Sequence, residues 1–150
     1  MNGHQLRDDL RSLSADLTAG MAAFAGIHAC LFDEEWLCTH PDVDYGGCAL
    51  ALSRIAAGLE KQCGEAARMR AQPEGLTTFR DYLGALLPFL DASRDCVNAL
   101  RAYCVSMNEL ARGSGGVAEA RELKDLYGRL GVRMDSAREA FKAARARWGF

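Results

Sequence analysis

Apolar residues recur in helical steps along four separate stretches of this chain, and no stretch alternates convincingly like a strand. In the first, Leu6, Leu10, Leu13, Leu17, Gly20, Phe24, Ile27 and Leu31 are spaced by alternating fours and threes, a heptad seam. The second, through Leu52, Ile55, Leu59, Gln62 and Ala66, is shorter and richer in alanine. The third uses Phe79, Leu83, Leu86, Leu90, Ser93, Val97, Leu100, Cys104 and Met107, and the fourth Leu123, Tyr127, Leu130, Met134, Ala137, Phe141, Ala144 and Trp148. A stripe that repeats every three to four residues can be buried only on one side of a helix. The pattern therefore predicts an all-α fold, a long antiparallel helical bundle. It forms one domain over residues 1–150, with helices over about 4–37, 48–71, 77–112 and 117–148.

The breaks between stretches are short. "THPDVDYGG" (Thr39–Gly47) is turn-rich, "QPEGLTT" (Gln72–Thr78) offers Thr77 or Thr78 as a cap for the third helix, and "GSGG" (Gly113–Gly116) is a tight reversal. Pro88 sits inside the third stretch, where a proline costs roughly 3 kcal/mol through a lost donor and a clash with the carbonyl four residues back. The apolar register survives across it, and Gly84 lies where the clash falls. The leading expectation is one helix kinked at Gly84 and Pro88; the alternative is two helices joined at Leu87–Pro88.

Function classes narrow by exclusion. The formal net charge of −2 gives no reason to expect nucleic acid as a partner. Charge is uneven, with eight Lys/Arg against five Asp/Glu from Val117 to Phe150. Arg112, Arg121, Lys124, Arg129 and Arg133, with Arg138 beyond them, form the surface expected to meet an anionic membrane; interleaved Glu122, Asp125, Asp135 and Glu139 offer a solvated, paired face instead. "MNGHQLRDDL" has no apolar h-region, and no run approaches the roughly 18 apolar residues of a membrane span. Cys30, Cys38, Cys48, Cys63, Cys96 and Cys104 are expected to be reduced and metal-free in a cytoplasmic setting, because paired Cys-x2-4-Cys spacing is absent. Cys38, His40 and Cys48, with Cys30, are the weak metal-ligand set; "DVDYGG" begins like a calcium loop but carries Gly46 and Ser53 at ligand positions. Scattered His4, His28 and His40 and the carboxylates of "FDEEW" form no catalytic constellation, so no enzyme activity and no cofactor are expected.

Three segments, "CALALSRIAAGLEKQCGEAARMRAQ", "FRDYLGALLPFLDASRDCVNALRAYCVSMNELA" and "LKDLYGRLGVRMDSAREAFKAARARWGF", resemble the helices of a sorting-nexin-type BAR domain. The resemblance rests on the Ala-Leu-Ser of Ala51–Ser53, the Asp-Tyr-Leu of Asp81–Leu83 and the terminal Phe150. "LTAGMAAFAGIHACLF" (Leu17–Phe32) is similar to the part of the first helix before its break. It implies a three-helix coiled coil with a broken first helix, a homo- or heterodimer that senses or shapes membranes, and a place at the endosomal membrane. In that setting Pro88 would contribute curvature, and "GSGG" would shorten both arms. The alternative from the residues alone is a compact four-helix adaptor that binds a partner protein through an apolar groove.

Overall fold

The computed structural model describes residues 3–150. Helices α1 (Gly3–Phe32), α2 (Glu34–Thr39), α3 (Tyr45–Arg70), α4 (Pro73–Leu76), α5 (Arg80–Ala111) and α6 (Val117–Trp148) account for nearly all of them. The chain is all-helical among the described residues.

The long helices alternate in direction around one core. Between α3 and α5, Cys63 meets Asp91, Glu60 meets Arg94 and Ser53 meets Arg101, so one number falls as the other rises. Between α5 and α6, Arg133 reaches Asp95 and Phe141 stacks against Phe89. Between α1 and α6, His28 meets Tyr127, and Arg7 reaches the Trp148 carbonyl. Across the core α1 and α5 run parallel, joined by Ser14–Tyr82 low in the bundle and Phe32–Tyr103 higher up. The seams meet inside this core. Leu6, Leu10, Leu13 and Leu17 are buried with Leu52 and Leu59 and with Leu83, Leu86, Leu90, Val97 and Leu100; Phe79, Met134 and Phe141 join them, and Leu130 and Trp148 are half-buried at its margin. Buried alanines, Ala56 and Ala66 on α3 and Ala92 and Ala99 on α5, leave room for close backbone approach.

Helix ends differ from the sequence expectation at three places, each for a local reason. The first helix stops at Phe32 because the Asp33 side chain caps a new one, accepting from the amides of Glu35 and Trp36. Glu34 and Glu35 then sit where a helix N-terminus favours negative charge. The expected turn through Gly47 is instead the start of α3, since Asp44 accepts from the Gly47 amide at 2.9 Å. Neither threonine caps the third long helix: Thr77 ends α4 by donating to the Pro73 carbonyl, and α5 starts after Phe79 without a side-chain cap. In the 72–78 connection a Cβ on Gly75 would run into the Met69 carbonyl, which explains the glycine there. The GSGG reversal works through left-handed backbone at Gly113 and Gly115, with φ of 81° and 87°.

α5 passes through Pro88 as one helix. Pro88 is exposed, while Leu86, Phe89 and Leu90 around it are buried, so the ring occupies no core space. Gly84 is also exposed, a Cβ added there would meet nothing within 4 Å, and its carbonyl has no Pro88 amide to bond. Pro88→Ala is therefore expected to restore one backbone bond at no packing cost. Stability should rise by about 1–3 kcal/mol, or several degrees in Tm. Thermal unfolding followed by circular dichroism checks this, and an unchanged or lower Tm counts against it.

α1 also corrects the expectation about membrane spans. His4–Phe32 is long and apolar enough to cross a bilayer by length and composition, with a mean hydropathy of 1.4 in its best window. The cause is alanine and glycine between the seam leucines rather than a run of large apolar residues. Only 17% of that window is buried: Leu17, Phe24 and Leu31 face the core, while Ala19, Ala22, Ala23 and Ala25 stand exposed on α1.

A candidate binding cleft between the first and last helices

α3–α5 and α5–α6 pack closely, whereas α6 and α1 meet mainly through long side chains. The gap between them is a cleft of about 390 Å³. Small residues leave it open: Ala25 on α1, and Gly128 and Gly131 on α6, where an added Cβ would meet nothing within 4 Å. Met21, Phe24 and Met134 form its apolar wall, Cys96 of α5 reaches it from below, and Val132 stands 72% exposed at its edge.

Two polar pairs mark the cleft. At one end the His28 imidazole Nδ1 and the Tyr127 hydroxyl share a hydrogen bond of 2.7 Å. The rings of His28 and Tyr127 also pack on Phe32, with centroids 4.9 and 6.0 Å away. At the other end Arg138 donates to Asp135 at 3.1 Å, and its guanidinium lies over the Phe89 ring. Burial pushes the Tyr127 phenol well above its ordinary range, so it stays protonated and keeps a donor for His28 or for a ligand. Burial also pushes the Cys96 thiol up to about 11, with Asp135 adding to the rise. At neutral pH that sulfur is a thiol packed as an apolar group, not a thiolate nucleophile. The arrangement suits an apolar group with polar contacts at either end.

The basic residues expected to share one membrane face do not converge. Lys124 leans toward α1, with its ammonium 5.6 Å from the centroid of the Phe32 ring. Arg133 turns the opposite way, toward α5, and pairs with Asp95 at 2.9 Å. Arg121 and Arg129 are exposed on α6, and Arg112 is exposed at the end of α5.

The weak metal-ligand set is also dispersed. Cys38 and His40 lie on or beside the exposed α2, where the His40 ring stacks on Trp36 at 3.7 Å, while Cys48 sits half-buried on α3 and Cys30 half-buried on α1. Among the described residues, no group of three His, Cys, Asp or Glu side chains is placed to hold a metal ion. The aspartates of "DVDYGG" do not build a loop site either, since Asp44 is spent as a helix cap.

The sequence reading left out the His28–Tyr127 pair and the glycine gap. One signal for the gap was present. Gly128 and Gly131 are three apart inside a helix, where each costs about 1 kcal/mol relative to alanine, so their retention marks a place where side chains are missing on one face. No family model matches this chain, and neither does any curated protein or solved structure.

Proposed function

We propose that the chain is a compact four-helix adaptor that carries no catalysis and docks an apolar segment of a partner protein in the α1–α6 cleft. The observation that carries this reading is the cleft itself: an apolar trough between antiparallel helices, kept open by Gly128 and Gly131, with polar pairs at both ends. A helix or extended segment that inserts a bulky side chain between α1 and α6 would find apolar walls, with His28–Tyr127 and Asp135–Arg138 left to meet its flanking polar groups. The seams that a thin three-helix protomer would leave for dimerisation are filled here by the chain's own helices, which also supports a monomeric adaptor.

Filling the cleft tests this. Gly128→Leu and Gly131→Leu place side chains where a Cβ meets open space, and each replaces a helix-weakening residue. Both variants should stay folded and gain up to about 1 kcal/mol in stability. A partner identified by affinity capture should lose at least tenfold in affinity for each, read by titration calorimetry. Equal binding by the filled variants would remove the cleft from the mechanism.

The competing reading is the BAR-like dimer on endosomal membrane. Arg112, Arg121 and Arg129 favour it, since among the described residues they are exposed and make no ion pair. Small-angle scattering with liposome sedimentation at low salt separates the two. An elongated dimer that sediments with anionic vesicles selects the scaffold; a compact monomer that stays in solution selects the adaptor.

A further inference from the structure

Arginine is the more telling residue at the other end of the bundle, away from the GSGG reversal. There α3 ends, α5 begins and α6 ends, and a groove of about 640 Å³ runs between them. Arg70, Arg80 and Arg147 line it, one from each helix. None of the three guanidinium groups makes an ion pair or hydrogen bond among the described residues, whereas those of Arg94, Arg133 and Arg138 all do. Asp81 is the only carboxylate in the lining, and the floor is Gly84, Ala140 and their alanine neighbours.

Helix stability accounts for only part of this. Arg70 and Arg147 lie in the last turns of α3 and α6, where a cation suits the helix dipole. Arg80 is the first residue of α5, where its charge opposes the dipole, and it shares the groove with two more cations. Three like charges collected around a single carboxylate weaken a fold unless something anionic joins them.

The geometry points to a binding site for a phosphate ester of a polyol. Guanidinium forks match phosphate oxygens, and three of them around one groove suit a multiply charged group better than a single carboxylate. Asp81 supplies an acceptor for a ligand hydroxyl. The glycine and alanine floor gives room but no aromatic ring or large aliphatic side chain, so a nucleobase or acyl chain finds nothing to stack or pack on. This site is separate from the α1–α6 cleft and shares no residue with it.

Titration calorimetry at physiological ionic strength tests the site with inorganic phosphate, fructose bisphosphate and sodium sulfate as the non-ester control. Fructose bisphosphate should bind more tightly than either inorganic anion. Arg80→Gln and Arg147→Gln should each weaken it about tenfold, roughly one charge-assisted contact apiece. Asp81→Asn removes a negative charge from the groove and should tighten inorganic phosphate, with a smaller gain for fructose bisphosphate, whose hydroxyl loses a charged acceptor. An Arg121→Gln/Arg129→Gln variant, which removes twice the charge of either single variant from elsewhere on α6, should bind as wild type. All these side chains are exposed, so circular dichroism should report unchanged folds. Sedimentation with phosphatidic acid vesicles identifies the source: loss of sedimentation in Arg80→Gln and Arg147→Gln, with no binding of the soluble ester, assigns the phosphate to a lipid headgroup. If wild type binds none of the probes, or if Arg80→Gln and Arg147→Gln bind as wild type, the site is refuted.

Discussion

Tyr82→Ala is expected to destabilise the chain by about 3–5 kcal/mol, a large share of the roughly 5–15 kcal/mol that holds a domain of this kind together. Tyr82 is fully buried on α5, and two separate roles meet in it. Its ring packs on Phe141 at 5.8 Å and takes Phe150 edge-on at 4.9 Å, which fastens the C-terminus of α6 to α5. Arg7 and Arg11 of α1 lie over the Phe150 ring, so the same aromatic cluster ties α1 to both. Its hydroxyl shares a hydrogen bond with Ser14, itself buried, across the core. Tyr82→Phe separates the roles. It keeps the ring and leaves the Ser14 hydroxyl without its partner, for an expected loss of about 1–2 kcal/mol. Urea unfolding of both variants checks the ordering. If Tyr82→Phe cost as much as Tyr82→Ala, the hydroxyl pair rather than the aromatic cluster would hold this end of the bundle.

Tyr82 also shows how far the sequence could be read. The third seam placed its neighbours Leu83 and Leu86 in a core, because period alone decides which face of a helix is apolar. Tyr82 fell beside that seam and was legible only as part of a motif. Its burial arises because α1 and α6 close over α5 from both sides, and that wrap depends on the packing of whole helices. The break at Asp33 was written in the chain as an aspartate followed by two glutamates, a helix-start signal. The heptad steps of α1 run up to Leu31 just before it and mask that signal. Pro88 posed the opposite problem. A strong local rule against helix was overruled because the ring points outward and core residues flank it on both sides.

The sites were far less legible than the fold. Arg70, Arg80 and Arg147 are scattered along the sequence and come together only where three helix ends meet. The basic stretch that was conspicuous in sequence, from Arg121 to Arg133, lies on one helix whose cations turn to different neighbours. Nearness in sequence on a helix guarantees a shared face only at spacings of three or four, and this set does not keep that spacing throughout. His28 and Tyr127 are likewise on opposite ends of the chain, and no local pattern could pair them.

The second large effect expected is a loss of stability in alkaline solution, driven by thiols. Burial pushes Cys63 and Cys96 up to about 11 and Cys104 up to about 12, from an ordinary 9.0. An unfolded chain would release these protons near pH 9, while the folded chain holds them. Between those values the unfolded state binds fewer protons, so rising pH favours unfolding. The stabilisation is complete below about pH 9 and is lost as pH climbs through about 11 and 12. Tyr103 and Tyr127, also raised by burial, act in the same direction at higher pH. With about 1.4 kcal/mol per pH unit for each group, the three thiols together remove on the order of several kcal/mol, enough to unfold a domain of ordinary stability. Denaturant midpoints should be flat from neutral pH to about pH 8.5 and fall steeply by about pH 10.5. Cys104→Ala and Cys96→Ala each remove one titrating group, and each should flatten that fall whatever it costs in packing at neutral pH. Exposed Cys38 should react with a thiol reagent at once in the native chain, while Cys96 and Cys104 should react only as fast as the bundle opens. Midpoints that stay flat to about pH 11, or thiols at Cys96 and Cys104 that react as quickly as Cys38, would place those sulfurs in contact with water and overturn the buried core drawn around them.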